Sequence, residues 1–227
     1  MKNEKSAAIS RRFCLTVSIL LFFISANAQA ELLNLTMQSS PDIFSGFIDI
    51  TYNANINAFS ATGYNFTITT DGINQIDFDE YNPGDFSLSA NIDETGEALA
   101  GSLEILGSVA GYGGAHPLLV CDIVDFGYGF WDTLNPDSDA ALFEFTFEVL
   151  GGDLSEMYGG RGALVGVIIG CVSVDASVSE TQFTTGFSNL FGNGPGYGTA
   201  VADTGMPIPE PISIMLLGLG AAMIRKK

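Results

Sequence analysis

The chain has 227 residues, 47% of them hydrophobic and 15% charged, and its 26 acidic against 8 basic residues give a formal net charge of −18. This length and apolar content suffice for one domain with a substantial core, and they exclude disorder as the main state. Arg161 is the only basic residue between Glu31 and Asp203. Because so acidic a surface repels phosphate groups, nucleic acid is excluded as a partner.

The N-terminus has the three parts of an export signal. Four basic residues within 1–12 precede an apolar run at 13–24, and small residues then alternate at Ala26, Ala28 and Ala30. The apolar run is too short to span the ~30 Å core of a bilayer as a helix. Residues 1–30 are therefore predicted to be a signal peptide that signal peptidase removes, so that the exported chain begins at Glu31.

The middle of the chain, residues 31–185, is predicted to be an all-β domain. Apolar residues occupy every second position in several short runs, as is typical of strands with one buried face. Turn signals such as Asp71-Gly72 and Asn82-Pro83-Gly84 separate the runs. The pattern favours an antiparallel β-sandwich, with jelly-roll and immunoglobulin-like topologies not distinguished.

Three runs make specific predictions about this domain. Phe143, Phe145, Phe147 and Val149 are expected on one apolar face, and Tyr64, Phe66 and Ile68 on another. The segment 164–174 is apolar on both faces and is predicted to be a central strand.

Two cysteines remain after removal of the signal peptide, Cys121 and Cys171. An exported protein folds where thiols can be oxidised, and both residues lie in apolar, strand-like runs. A disulfide between them is therefore predicted, the alternative being two buried thiols.

Catalytic constellations are scarce in the sequence. His116 is the only histidine, no Gly-x-Ser-x-Gly element occurs, and no lysine lies between Lys5 and Lys226. These features favour a non-catalytic protein over an enzyme acting on polysaccharide, whose paired carboxylates any acidic domain could supply.

Two weaker binding hypotheses come from aromatic and acidic residues. Tyr128, Phe130 and Trp131 could form a small platform for carbohydrate, the alternative being core packing. Asp77, Asp79, Asp137 and Asp139 place carboxylates at alternate loop positions, as calcium sites do, the alternative being a solvated acidic surface. We expect no other metal or cofactor, because a zinc site needs more His or Cys ligands than the chain has.

The C-terminus is predicted to carry a second targeting signal. Residues 186–207 are rich in glycine and are predicted to be a flexible stalk. Pro209-Glu210-Pro211 follow, then 13 apolar residues at 212–224, then Arg225, Lys226 and Lys227. The apolar run would make a short transmembrane helix, and the three bases would hold its end in the cytoplasm.

The segment 208–227 resembles the PEP-CTERM sorting signal of Gram-negative bacteria, with all three parts adjacent and in order at the extreme C-terminus. The resemblance implies a precursor anchored in the inner membrane and cleaved near Pro209-Glu210-Pro211 by an exosortase. It also implies a mature protein at the cell surface or outside the cell, associated with exopolysaccharide and biofilm matrix.

Overall fold

A computed structural model describes residues 32–79, 83–109, 112–113, 116–130, 141–171, 183–189 and 200–208. These residues form twelve strands: β1 (Met37–Asn53), β2 (Ala58–Thr69), β3 (Gln75–Asp77), β4 (Gly84–Ile92), β5 (Ala98–Ile105), β6 (Ser108–Val109), β7 (Tyr112–Gly113), β8 (Leu119–Phe130), β9 (Ala141–Gly151), β10 (Leu164–Cys171), β11 (Phe187–Ser188) and β12 (Ala200–Pro207). The all-β prediction is confirmed.

Eight of the strands close into an antiparallel barrel, so the predicted sandwich is wrong. Neighbouring strands follow the order β1, β12, β10, β9, β8, β5, β4 and β2, and β2 pairs with β1 to complete the circle. The physical reason for the error is that alternation shows only that one face of a strand is buried. Closure depends on the pairing of β1 with both β2 and β12, which is a long-range contact.

The interior of the barrel is filled by large side chains from every second position. Phe143, Phe145, Phe147 and Val149 of β9 are all fully buried, which confirms the apolar face predicted for this run. At one end of the barrel, the turns at 152–162 place Tyr158 in the core, where its hydroxyl donates a hydrogen bond to the Thr204 carbonyl (3.0 Å). The barrel is therefore a packed core, as eight-stranded barrels commonly are.

The first described residues form a strap across the outside of the barrel. The backbone N–H groups of Asn34 and Leu35 donate hydrogen bonds to the two carboxylate oxygens of Glu144, at 2.8 and 3.1 Å. Glu144 lies on the outer face of β9, yet it is only 3% exposed because the strap covers it. These charge-assisted bonds compensate for the burial of the carboxylate.

The segment predicted as a stalk, 186–207, contributes to the barrel wherever the structure describes it. β11 pairs with the end of β1, and β12 lies between β1 and β10 as one of the eight barrel strands. The folded domain therefore extends to Pro207 rather than ending at residue 185.

Cys121 and Cys171 do not form the predicted disulfide. Cys121 pairs with Val149 and Cys171 with Ala141, at opposite ends of β9. Eight residues of strand separate these positions by roughly 26 Å, whereas a disulfide needs its Cα atoms within about 7 Å. Burial, with Asp122 nearby, raises the pKa of Cys121 to about 12, so this thiol stays protonated.

Candidate functional site

The predicted site residues lie in different parts of the chain. Pro209, Glu210, Pro211, Arg225, Lys226 and Lys227 of the sorting signal lie outside the described residues, as do Trp131, Asp137 and Asp139. In the part of the chain that the structure does describe, no helix is long and apolar enough to cross a membrane.

The predicted carbohydrate platform is not on the surface at Tyr128. This side chain is 4% exposed and packs in the barrel interior, stacked on Phe126 (6.0 Å between ring centroids) and edge-on to Phe183 (4.6 Å). Phe130 is the last residue of β8. At Tyr128 the core-packing alternative is therefore the correct one.

The predicted calcium ligands Asp77 and Asp79 are both exposed and flank the buried Phe78. Within the described ranges, no three His, Cys, Asp or Glu side chains are grouped so as to hold a metal ion. Other acidic residues act within turns: Asp93 accepts hydrogen bonds from the backbone of Thr95 and Glu97, at 2.8 and 3.0 Å. Part of the acidic composition therefore stabilises loops.

The most distinctive surface lies on the outside of β12, β1 and β2, where two β-bulges adjoin. The β1–β2 register shifts between Phe44 and Ser45, where Phe66 is the extra residue of β2, and again between Gly46 and Asp49. Phe47 lies in the second bulge with φ of 51°, a left-handed conformation that costs a bulky residue on the order of 1–2 kcal/mol. Bulges of this kind redirect side chains and are frequent beside functional sites.

The bulges bring five apolar side chains together on the outer wall. We call this set the aromatic face: Phe44, Phe47, Tyr64, Phe66 and Val201. Phe47 is 55% exposed, and its ring meets the edge of Phe66 at 5.6 Å between centroids. Phe44 lies 6.3 Å from Phe66 on the other side.

A glycine makes this arrangement possible. A Cβ at Gly46 would lie 3.0 Å from the Phe66 ring and 4.0 Å from the Val201 side chain. The Phe66 ring therefore lies across the β1 backbone toward β12, and the aromatic face is continuous from β2 to β12.

A pocket of about 240 Å³ adjoins the aromatic face and is lined by Asp49, Thr62, Gly63, Tyr64, Asp85, Phe86 and Ser87. We call it the Asp49 pocket. Asp49 pairs with Thr62 across β1 and β2, and Tyr64 pairs with Asp85 across β2 and β4, so their side chains share the outer wall. Tyr64 belongs to both features and joins them. The pocket lining includes two carboxylates, of Asp49 and Asp85, and three hydroxyls, of Thr62, Tyr64 and Ser87.

Two further carboxylates border the opposite side of the aromatic face. Asp203 pairs with Phe44 across β12 and β1, and Asp42 precedes Phe44 by two residues on the same face of β1. Burial, together with the nearby carboxylate of Asp203, raises the pKa of Asp42 from 3.8 to about 6. The aromatic face thus lies between acidic residues on both sides.

The raised pKa of Asp42 predicts a pH-dependent penalty on folding. Between pH 3.8 and about 6 the folded state holds the proton of Asp42 more tightly than the unfolded chain does, so this residue makes stability fall as pH rises through that window. Asp42→Asn should remove the penalty, raising the free energy of unfolding at pH 7.5 by about 1 kcal/mol after allowance for solvent screening, with little change at pH 4. Urea unfolding at both pH values measures this, and an Asp42→Asn protein that is less stable at pH 7.5 would contradict it.

The aromatic face was not predicted from the sequence. One local signal was available: Gly46-Phe47 interrupts the alternation of the β1 run, and such an interruption by glycine within a strand is typical of a bulge. Chemically, the surface can stack a flat apolar ring system and accept hydrogen bonds from its edges.

The fold and surface define the chain as an eight-stranded antiparallel β-barrel protein with an aromatic, acid-bordered outer face. Comparison with protein-family models, curated proteins and solved structures found no match.

Proposed function

We propose that this chain is an exported, non-catalytic β-barrel protein of the bacterial envelope or extracellular matrix, sorted by its C-terminal signal. The observation that carries the proposal is the position of the two ends of the domain. Met37 pairs with Pro207 across β1 and β12, and the Ile208 N–H donates to the Thr36 carbonyl at 2.7 Å. The sorting segment therefore leaves the barrel beside the point where the chain enters β1, whereas the strap before β1 runs along the outer wall as far as Gly129, which Leu32 contacts. A sorting segment that follows directly from a barrel strand suits a domain held to a membrane through its C-terminal end.

The composition of the chain agrees with this role. Apart from Arg161, the Lys and Arg residues are confined to the two termini. This distribution is expected when membrane machinery recognises both terminal segments and the domain between them is exported. The single histidine and the absence of lysine from the domain leave no amine nucleophile and one imidazole, so that carboxylates are the main groups available for acid–base chemistry.

Intact mass and terminal sequencing of the protein from its native host test the proposal. We expect a mature chain that begins near Glu31 and ends near Pro209-Glu210-Pro211, because each terminal segment is removed after it has been recognised. Alanine in place of Arg225, Lys226 and Lys227 should prevent C-terminal trimming and leave N-terminal trimming unchanged. A wild-type mature chain that retains Lys227 would contradict sorting by this signal.

A further inference from the structure

We propose that the aromatic face and the Asp49 pocket together bind a polysaccharide containing positively charged amino sugars. The inference rests on the proposed function, since an exported domain is one that meets such a polymer outside the cell. Tyr128 of the predicted carbohydrate platform is buried in the core and is not part of this site.

The shape of the surface suits a sugar chain. Phe44, Phe47, Tyr64 and Val201 are each 38–55% exposed, so a large apolar area stays in contact with water on a single wall of the barrel. The C–H faces of pyranose rings are flat and apolar, and they pack on aromatic rings that have this exposure. From Asp42 to Asp49 the wall runs for roughly 20 Å along β1, enough for several sugar units.

The charge of the surface selects among sugars. Asp42 and Asp203 border one side of the aromatic face, and Asp49 and Asp85 border the other. Arg161 is the only Lys or Arg among the described residues, and it lies in the turns at 152–162 at the end of the barrel. An anionic polymer would be repelled, whereas a protonated sugar amine can pair with the carboxylates and lie against the aromatic rings.

The same charges argue against a second copy of the chain as the partner. A symmetric dimer through the aromatic face would bring these carboxylates against those of its partner. Like charges at an interface cost free energy unless cations separate them.

A basic peptide is the other class of partner with suitable charge, but the architecture favours the sugar. Extended peptides commonly bind by adding a strand to an open sheet edge. Here β12, β1, β2 and β4 are each paired on both sides within the closed barrel, so these four strands present only side chains. The adjacent strand with a single neighbour, β3, has three residues and offers an extended peptide little backbone to pair with. A sugar chain needs only side-chain contacts.

The backbone strain at Phe47 also fits a binding role. The left-handed conformation lies in the bulge that turns the Phe47 ring outward, where it packs only partly against its neighbours. Strain of this kind persists when the surrounding structure imposes it, and it concentrates at ligand sites.

Titration calorimetry of the purified full chain with a glucosamine hexasaccharide tests the inference. We expect binding at least tenfold tighter than that of the N-acetylglucosamine hexasaccharide, and no binding of a galacturonic acid hexamer. Binding should weaken in about 0.5 M NaCl because Asp85 and Asp203 are exposed, although Asp49 is only 7% exposed. Phe47→Ala should weaken binding at least tenfold, and Asp49→Asn should reduce its salt dependence. Ile73→Ala, which truncates a side chain 87% exposed in the turn after β2, is the matched control and should bind as wild type does.

Several results would overturn the inference. These are absence of binding by the glucosamine hexasaccharide, equal binding of the N-acetylated form, or affinity unchanged in both Phe47→Ala and Asp49→Asn. Tighter binding of hexalysine would instead assign the surface to a basic protein segment, and dimerisation lost in Phe47→Ala would assign it to a second copy. Terminal processing in the native host is measured separately, so failure here leaves the proposed function standing.

Discussion

Gly152→Ala is expected to destabilise the barrel by about 4 kcal/mol or more, the largest effect that we predict for a single substitution. Gly152 has a φ of 111°, a conformation that L residues rarely adopt. A Cβ there would also lie 2.4 Å from the Leu118 carbonyl oxygen and 2.7 Å from the Leu119 Cα. This backbone cannot easily move aside, because the Leu118 N–H donates to the Ile105 carbonyl and the Leu118 carbonyl accepts from Leu154 N–H, both at 2.8 Å.

Alanine substitutions at two other glycines separate the cost of the positive φ from the cost of the backbone clash. Gly151→Ala places its Cβ in open space, and Gly162→Ala also meets no atom within 4 Å but has a φ of 88°. Urea unfolding followed by circular dichroism should show a small change for Gly151→Ala, a loss of about 1–2 kcal/mol for Gly162→Ala and the largest loss for Gly152→Ala. A Gly152→Ala protein as stable as Gly162→Ala would mean that the backbone clash is relieved at no cost.

Phe59→Ala is expected to destabilise the protein by about 3–5 kcal/mol. The Phe59 ring is 1% exposed and lies 5.4 Å from the rings of both Phe143 and Phe145. It also approaches Phe126 and Phe187, so a ring from β2 joins side chains of β8, β9 and β11 in the core. Truncation would leave a cavity that these neighbours can fill only in part.

Phe47→Ala is the matched control for Phe59→Ala, because the chemical change is identical and the Phe47 ring is 55% exposed. Thermal or urea unfolding should show a change within about 1 kcal/mol for Phe47→Ala. Equal losses of unfolding free energy in Phe47→Ala and Phe59→Ala would contradict the burial of Phe59, on which the value expected for Phe59→Ala depends.

Regular strands could be predicted from the sequence, whereas bulged strands could not. The run from Phe143 to Glu148 pairs without interruption with β10, so strict alternation carries every second residue into the core. The prediction that Tyr64, Phe66 and Ile68 share one face is wrong, because the bulge at Phe66 moves Ile68 inward while Tyr64 stays exposed. A one-residue shift of this kind exchanges the two faces of a strand.

The barrel's last strand was missed for a different reason. Its inward residues are Ala200, Ala202 and Thr204, all small, and glycines precede them. Such a segment lacks the large β-branched and aromatic residues by which strands are recognised, and its composition is that of a linker. Only the pairing with β1 and β10 makes it a strand.

The candidate site could not be predicted because it depends both on β-bulges and on long-range strand pairing. Its acidic residues were visible as composition, but which of them lie together depends on the registers of four strands. Phe44 and Phe47 have the spacing of opposite strand faces, and only the bulge between Gly46 and Asp49 lets both rings lie outside. A single sequence does not contain that bulge explicitly.

The place of β12 also determines when the domain can fold if the chain is exported as we propose. Because β12 lies between β1 and β10, both of those strands have an open edge until residues 200–207 have joined them. Open edges promote association between chains. For a chain exported N-terminus first, the barrel can therefore close only when all but its last twenty or so residues have been translocated. A C-terminal segment that pauses in the membrane would keep each chain apart from its neighbours while that final strand inserts.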